Sequence, residues 1–215
     1  GRHRGGYDPF TYDITNALVD QDEQEIIVSV WDPSSEGTQP RGKQVVNPHG
    51  IWYTPVTGIW QTVWIEPVPE TSIAKLKGVP DIDEGVLELT VRTSGAQEGD
   101  IVTVQAYDGE RSLGPFAEGQ VGQPVNIKID NPQLWSPDDP FLYRMTVSIV
   151  RDGETVDSVE SYFGMREVSL GKDESGITRM MLNGEFVFQI GPLDQGWWPD
   201  GLYTPATNEA LVYDL

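Results

Sequence analysis

Between residues 59 and 66 the chain alternates without a break. Ile59, Gln61, Val63 and Ile65 fall on one side, and Trp60, Thr62, Trp64 and Glu66 on the other. Period-two alternation predicts a strand, and apolar groups on both sides predict one covered on both faces. Pro67 and Pro69 then remove backbone donors and end the ladder. An apolar β-branched run over residues 25–31, closed by Asp32-Pro33-Ser34-Ser35-Glu36-Gly37, predicts an earlier strand.

Beyond Thr71 short strands recur at even spacing. Residues 73–77 form one, and Leu87, Leu89 and Val91 mark the inward face of the next. Val102, Val104 and Ala106 mark a third, ending at the hairpin signal Asp108-Gly109. Val125, Ile127 and Ile129 line another, as do Tyr143, Met145, Val147 and Ile149 before the turn Arg151-Asp152-Gly153-Glu154 and a partner running toward Phe163. About seven strands in roughly one hundred residues predict an immunoglobulin-like β-sandwich over residues 69–167. Asn183-Gly184 predicts a type I′ hairpin between residues 180–182 and 186–190. Residues 207–213 predict a helix, with Thr207 or Asn208 as N-cap.

Composition narrows the chemistry. With 16 Pro and 23 Gly among 215 residues, the chain is rich in turns, as an all-β protein requires. No run of about eighteen apolar residues predicts a membrane span. The 34 acidic and 14 basic residues give a formal charge of −20. That balance speaks against nucleic acid and anionic lipid, and suits a neutral polyol partner. The absence of cysteine excludes disulfides, thiolate catalysis and Cys-ligated zinc, and two histidines cannot make a His-rich metal site. Asp81-Ile82-Asp83-Glu84 offers carboxylates but not the ligand ladder of a calcium loop, so neither metal nor cofactor is expected.

Gly50-Ile51-Trp52, Pro55-Val56-Thr57, Gly58-Ile59-Trp60 and the run Gln61-Thr62-Val63-Trp64-Ile65-Glu66-Pro67-Val68 resemble the last strands of the amino-terminal sugar-binding domain of family 2 glycoside hydrolases. That family includes β-galactosidases, β-glucuronidases and β-mannosidases. The corner Asn131-Pro132-Gln133-Leu134-Trp135-Ser136-Pro137-Asp138-Asp139-Pro140-Phe141-Leu142-Tyr143 and the exit Phe163-Gly164-Met165-Arg166 are similar to its second domain. The resemblance implies part of a jelly-roll (galactose-binding-like) domain in residues 1–68 and a sandwich in 69–167. In 168–215 it implies the first β/α unit of a truncated (β/α)₈ barrel. After Leu182-Asn183-Gly184 the chain departs from the common lead-in and reads Gly191-Pro192-Leu193-Asp194-Gln195-Gly196-Trp197-Trp198, which points to another subgroup.

By the same resemblance the two glutamates of a retaining mechanism lie in later barrel strands, so no catalytic residue is expected within this chain. If residues 186–190 are the first barrel strand, Asp194, Gln195, Trp197 and Trp198 fall at its carboxyl end, where indole faces and a carboxylate suit sugar binding. Trp60, Trp64 and Trp135 are expected to be structural anchors, with at least one of the first two buried by the sandwich or by residues 186–203. The parent activity implied is hydrolysis of a β-linked glycoside. A non-enzymatic carbohydrate-binding or cell-surface adhesion module built from β-sandwiches remains the alternative.

Overall fold

The computed structural model describes residues 1–214, and its regular elements are antiparallel β-strands apart from one short α-helix and a 3₁₀ turn. The chain divides into two compact units, Ile65–Gly191 and a second one made of Gly1–Trp64 together with the segment from Pro192 onward.

In the first unit β1 (Ser72–Asp81), β2 (Val86–Ser94) and β6 (Val125–Lys128) form one antiparallel sheet in the order β1-β2-β6. The second sheet is built on β3 (Ile101–Asp108), β7 (Tyr143–Arg151) and β8 (Glu154–Phe163). The short β4 (Arg111–Ser112) and β5 (Ala117–Gln120) lie on the outer side of β3. The alternation along each strand decides which side chains meet between the sheets. Leu87, Leu89 and Val91 from β2, Val102, Val104 and Ala106 from β3, and Tyr143, Met145 and Val147 from β7 all join one buried core. This is the immunoglobulin-like arrangement expected from the strand count.

The turns follow their local chemistry. Asp152 and Gly153 both take positive φ (52° and 85°) between β7 and β8, as a two-residue primed turn requires. At the base of the sandwich the side chain of Asp100 is fully buried. It accepts from Arg151 Nε and Nη2 at 2.7 and 2.8 Å and from the Gln97 amide at 2.8 Å. Arg151 Nη2 also donates to Thr71 Oγ1 at 2.9 Å, and that hydroxyl donates to Gly95 O at 2.8 Å. One guanidinium therefore ties the start of β1 to the loop before β3.

A third sheet, ordered β11-β10-β9, follows with β9 (Val168–Lys172), β10 (Thr178–Leu182) and β11 (Glu185–Phe186). Asn183 and Gly184 have φ of 53° and 79°, the hairpin geometry expected of that dipeptide. The strand expected over residues 186–190 ends at Phe186, because residues 187–190 find no ladder partner. β9 had no clear sequence signal, since its alternation is short and both faces stay at least partly exposed.

The second unit holds a 3₁₀ turn, Thr15–Ala17, and α1 (Asn208–Asp214). Thr207 caps α1, its Oγ1 accepting from the Ala210 amide at 3.1 Å. The strands expected over residues 25–31 and 59–66 do not form. A strand has no hydrogen bonds of its own, and here neither segment meets a ladder neighbour, so Ile27 is 83% exposed. Among the described residues no helix is long and apolar enough to cross a membrane.

Candidate functional site

The second unit is organised at residues 194–205, a loop whose geometry is set by its own short-range bonds. Asp194 Oδ1 accepts from the Gly196 amide at 2.8 Å, with Gly196 at φ 61°. Trp198 and Leu202 exchange both backbone hydrogen bonds (2.8 and 3.1 Å) around Pro199-Asp200-Gly201. The Thr204 amide then donates to Gly201 O at 2.9 Å. A Cβ at Gly201 would stand 1.9 Å from Thr204 O, so only glycine fits this turn.

The folded loop presents its aromatic residues to residues 53 and 60. The Trp197 ring lies 4.9 Å from that of Tyr53 and meets Tyr203 edge-on at 5.1 Å. Tyr203 in turn lies 5.7 Å from Trp60. These are separations at which ring quadrupoles attract. The Tyr53 hydroxyl donates to Gln195 Oε1. Tyr53 is itself fixed by its amide, which donates to Lys43 O at 2.7 Å, and by its carbonyl, which accepts from the Val45 amide at 3.0 Å. The Trp60 indole donates to Gly6 O at 2.8 Å. Burial of the Tyr203 phenol raises its pKa, with a smaller contribution from the neighbouring phenol of Tyr7. Beside the cluster, Trp60, Trp64 and Tyr203 border an open hollow of about 700 Å³ whose polar lining is Gln61, Thr62 and Thr204.

Of the four residues expected to face a sugar, Gln195 and Trp197 enter this cluster. Asp194 spends one carboxylate oxygen on its own loop, and Trp198, half-buried, contributes its backbone to the turn. Tyr53 and Tyr203 were not anticipated. Tyr53 stands 142 positions from Gln195, a separation at which no spacing rule operates. Trp60 meets Tyr203 of the later segment while remaining 42% exposed, and Trp64 is 73% exposed. Trp135 belongs to the other unit. Its amide donates to Met165 O at 2.9 Å, its carbonyl accepts from Asn183 Nδ2 at 3.0 Å, and the Arg166 guanidinium lies 4.5 Å from its ring centre.

The carboxyls with displaced pKa values are all displaced downward. Hydrogen bonds from Arg151 and the Gln97 amide bring Asp100 to about 2. Arg179 and the Ile177 amide lower Asp173. Asp13 is lowered by its bonds to Thr15, and Glu209 by backbone and Thr207 bonds at the start of α1. A lowered carboxyl is an ionised partner for a donor rather than a proton source near neutrality. Asp81 Oδ1 accepts from the Glu84 amide at 2.8 Å, so that carboxylate helps to close its turn.

The glycosyl hydrolases family 2 model matches residues 71–166. Over these residues the chain belongs to glycosyl hydrolase family 2. The match runs from Thr71, at the Arg151 tie, to Arg166, stacked over Trp135, and so spans the whole sandwich. Similarity to members of the family reaches further. A β-galactosidase of Thermoanaerobacter pseudethanolicus is 30% identical over 195 residues, covering 86% of this chain and 25% of that protein. A putative β-glucuronidase of Formosa agariphila is 28% identical over 179 residues, covering 77% and 20%. A solved β-glucuronidase of Ruminococcus gnavus, bound to a C6-substituted uronic isofagomine, superposes with a TM-score of 0.50 at 19% identity. It covers 63% of this chain and 22% of its own, and at that identity it speaks for the fold alone. The chain thus spans a quarter or less of the family 2 relatives described here.

Proposed function

We propose that this chain is a non-catalytic, accessory portion of a retaining family 2 glycoside hydrolase acting on β-linked glycosides. The family match over residues 71–166 carries the reading. In this division of labour residues 69–167 are the immunoglobulin-like domain, residues 1–68 the end of a jelly-roll sugar-binding domain, and residues 168–215 the start of a catalytic barrel. The acid/base and nucleophile are glutamates outside this chain, about 5–5.5 Å apart in the assembled site. The half-exposed indole of Trp197 and the amide of Gln195 suit the apolar face and the hydroxyls of a sugar ring. Asp194 and Trp198 shape the same loop, while Trp60 and Trp135 act as packing anchors within their own units.

The test compares the 215-residue chain with the product of its full reading frame on nitrophenyl β-galactoside and β-glucuronide. Turnover is expected only from a product that extends into a barrel bearing two strand-end glutamates. Turnover by the pure 215-residue chain, abolished by a point substitution within it, overturns the accessory role. A reading frame with no such extension and no turnover overturns the hydrolase assignment and favours a binding module.

A further inference from the structure

We infer that the outer face of the β1-β2-β6 sheet is a self-complementary surface that pairs two copies of this chain about a two-fold axis. The register decides which side chains share that face. Leu87, Leu89 and Val91 of β2 point into the core, so Glu88, Thr90 and Arg92 point outward. Lys75 stands opposite Arg92, Lys77 opposite Thr90 and Val79 opposite Glu88, and all of these except half-buried Thr90 are exposed. The register shift between Ile73 and Lys75 is what turns both lysines onto the side of Arg92.

Charge is sorted along this face. Lys75, Lys77 and Arg92 gather at one end, and residues 72–80 and 89–94 contain no carboxylate. Glu88 and Asp81 mark the other end, with Asp83 and Glu84 in the turn that joins the two strands. Lys128 of β6 enters that end, where its ammonium donates to Glu84 O, so four carboxylates stand against one cation. None of these side chains forms an ion pair among the described residues. Acidic residues outnumber basic ones 34 to 14, so three neighbouring cations without a carboxylate run against the chain's own balance. Lysines on an edge strand such as β1 guard against unwanted strand pairing. That role does not account for Glu88 and Arg92, because β2 lies between β1 and β6.

A two-fold axis lying across the strands sets the basic end of one copy on the acidic end of the other, and the contact occurs twice. Repulsion between the remaining charges of two chains of formal charge −20 is limited by a Debye length of about 8 Å at physiological salt. With 10 residues in β1 the face is about 33 Å long, and three strands with their side chains are about 15 Å wide. The pair therefore buries roughly 1,000 Å² in total, the size of a weak, reversible contact rather than an obligate dimer. The inference stands on the sandwich alone and not on the accessory role in hydrolysis.

The experiment is sedimentation equilibrium of the 215-residue chain at about 0.15 M salt, with two charge-reversed variants. One variant carries Lys75→Glu and Lys77→Glu, and the other Glu84→Lys and Glu88→Lys, which leaves the Asp81 bond to the turn intact. The parent is expected to dimerise with a dissociation constant of about 0.1–1 mM. Each variant alone is expected to self-associate about tenfold or more weakly, because both ends of its face then carry one sign. An equimolar mixture of the two is expected to recover a dimer at the parent's strength or tighter. Circular dichroism and urea unfolding check that both variants keep the sandwich. A parent that stays monomeric at about 1 mM overturns the inference. Folded variants that self-associate like the parent overturn the location, and a mixture that fails to associate overturns the pairing of opposite ends.

Discussion

Residues 101–108 and 59–66 carry the same alternation of apolar and polar positions, yet they meet different fates. In the first, β3 has β7 along one edge and β4 and β5 along the other, and Val102, Val104 and Ala106 are buried to within about 1%. In the second there is no ladder at all, and Val63 and Ile65 stay exposed. Alternation gives a segment two faces, but backbone donors and acceptors must be satisfied from outside the strand. Where neighbours are available the pattern becomes a core. Where they are not, the same side chains remain on the surface, and the segment's organisation comes from aromatic contacts and tight turns instead.

The sharpest way to break this contrast is a pair of truncations. Leu89→Ala, at a position with no solvent exposure, should cost roughly 2–5 kcal/mol by leaving a cavity. Ile27→Ala in the unpaired segment should stay within about 0.5 kcal/mol. Urea denaturation of both variants checks the pair; a comparable loss for Ile27→Ala would mean that residues 25–31 are packed after all.

The next largest effect belongs to the aromatic cluster. Gly201→Ala puts a methyl group against Thr204 O and forces the turn open, at a cost of roughly 1–3 kcal/mol to that unit. The expected signature is a changed tryptophan emission with the sandwich core intact by near-neutral unfolding. Unchanged emission would mean that the turn does not position Tyr203 and Trp197.

Acid should weaken the sandwich through the buried tie at Asp100. Asp100 has its folded pKa depressed from 3.8 to about 2, chiefly by Arg151. Its contribution is therefore fully present above about pH 4 and is lost as pH falls through about 2. Asp100→Asn should lower the urea midpoint at neutral pH, and its gap from the parent should narrow between pH 4 and pH 2. A gap that is constant over that range would rule out an ionic role for the tie. The smallest change is expected at α1, where Thr207→Ala removes the cap seen at Ala210 and costs about 1 kcal/mol of local helix stability, read as reduced helical ellipticity.

What could be read from the residues alone was local. The inward triplets of β2 and β3, the paired positive-φ turns at Asp152-Gly153 and Asn183-Gly184, and the Thr207 cap each depend on a few adjacent positions. The strands of the sandwich were legible because they recur at even spacing and several pair with their neighbours in sequence, whereas the pairings of β6 with β2 and of β7 with β3 span distant segments. What tertiary structure alone decided was pairing at a distance. Arg151 reaches Asp100 and Thr71 across 51 and 80 positions, and Trp60 reaches Gly6 across 54. Tertiary structure also decided that residues 187–190 extend no ladder beyond Phe186, whereas Val168–Lys172 joins one. A turn or a cap is satisfied by neighbours in the chain. A strand edge, a buried carboxylate and an aromatic platform are satisfied only by whatever the fold brings to them, and side-chain spacing along the sequence does not contain that choice.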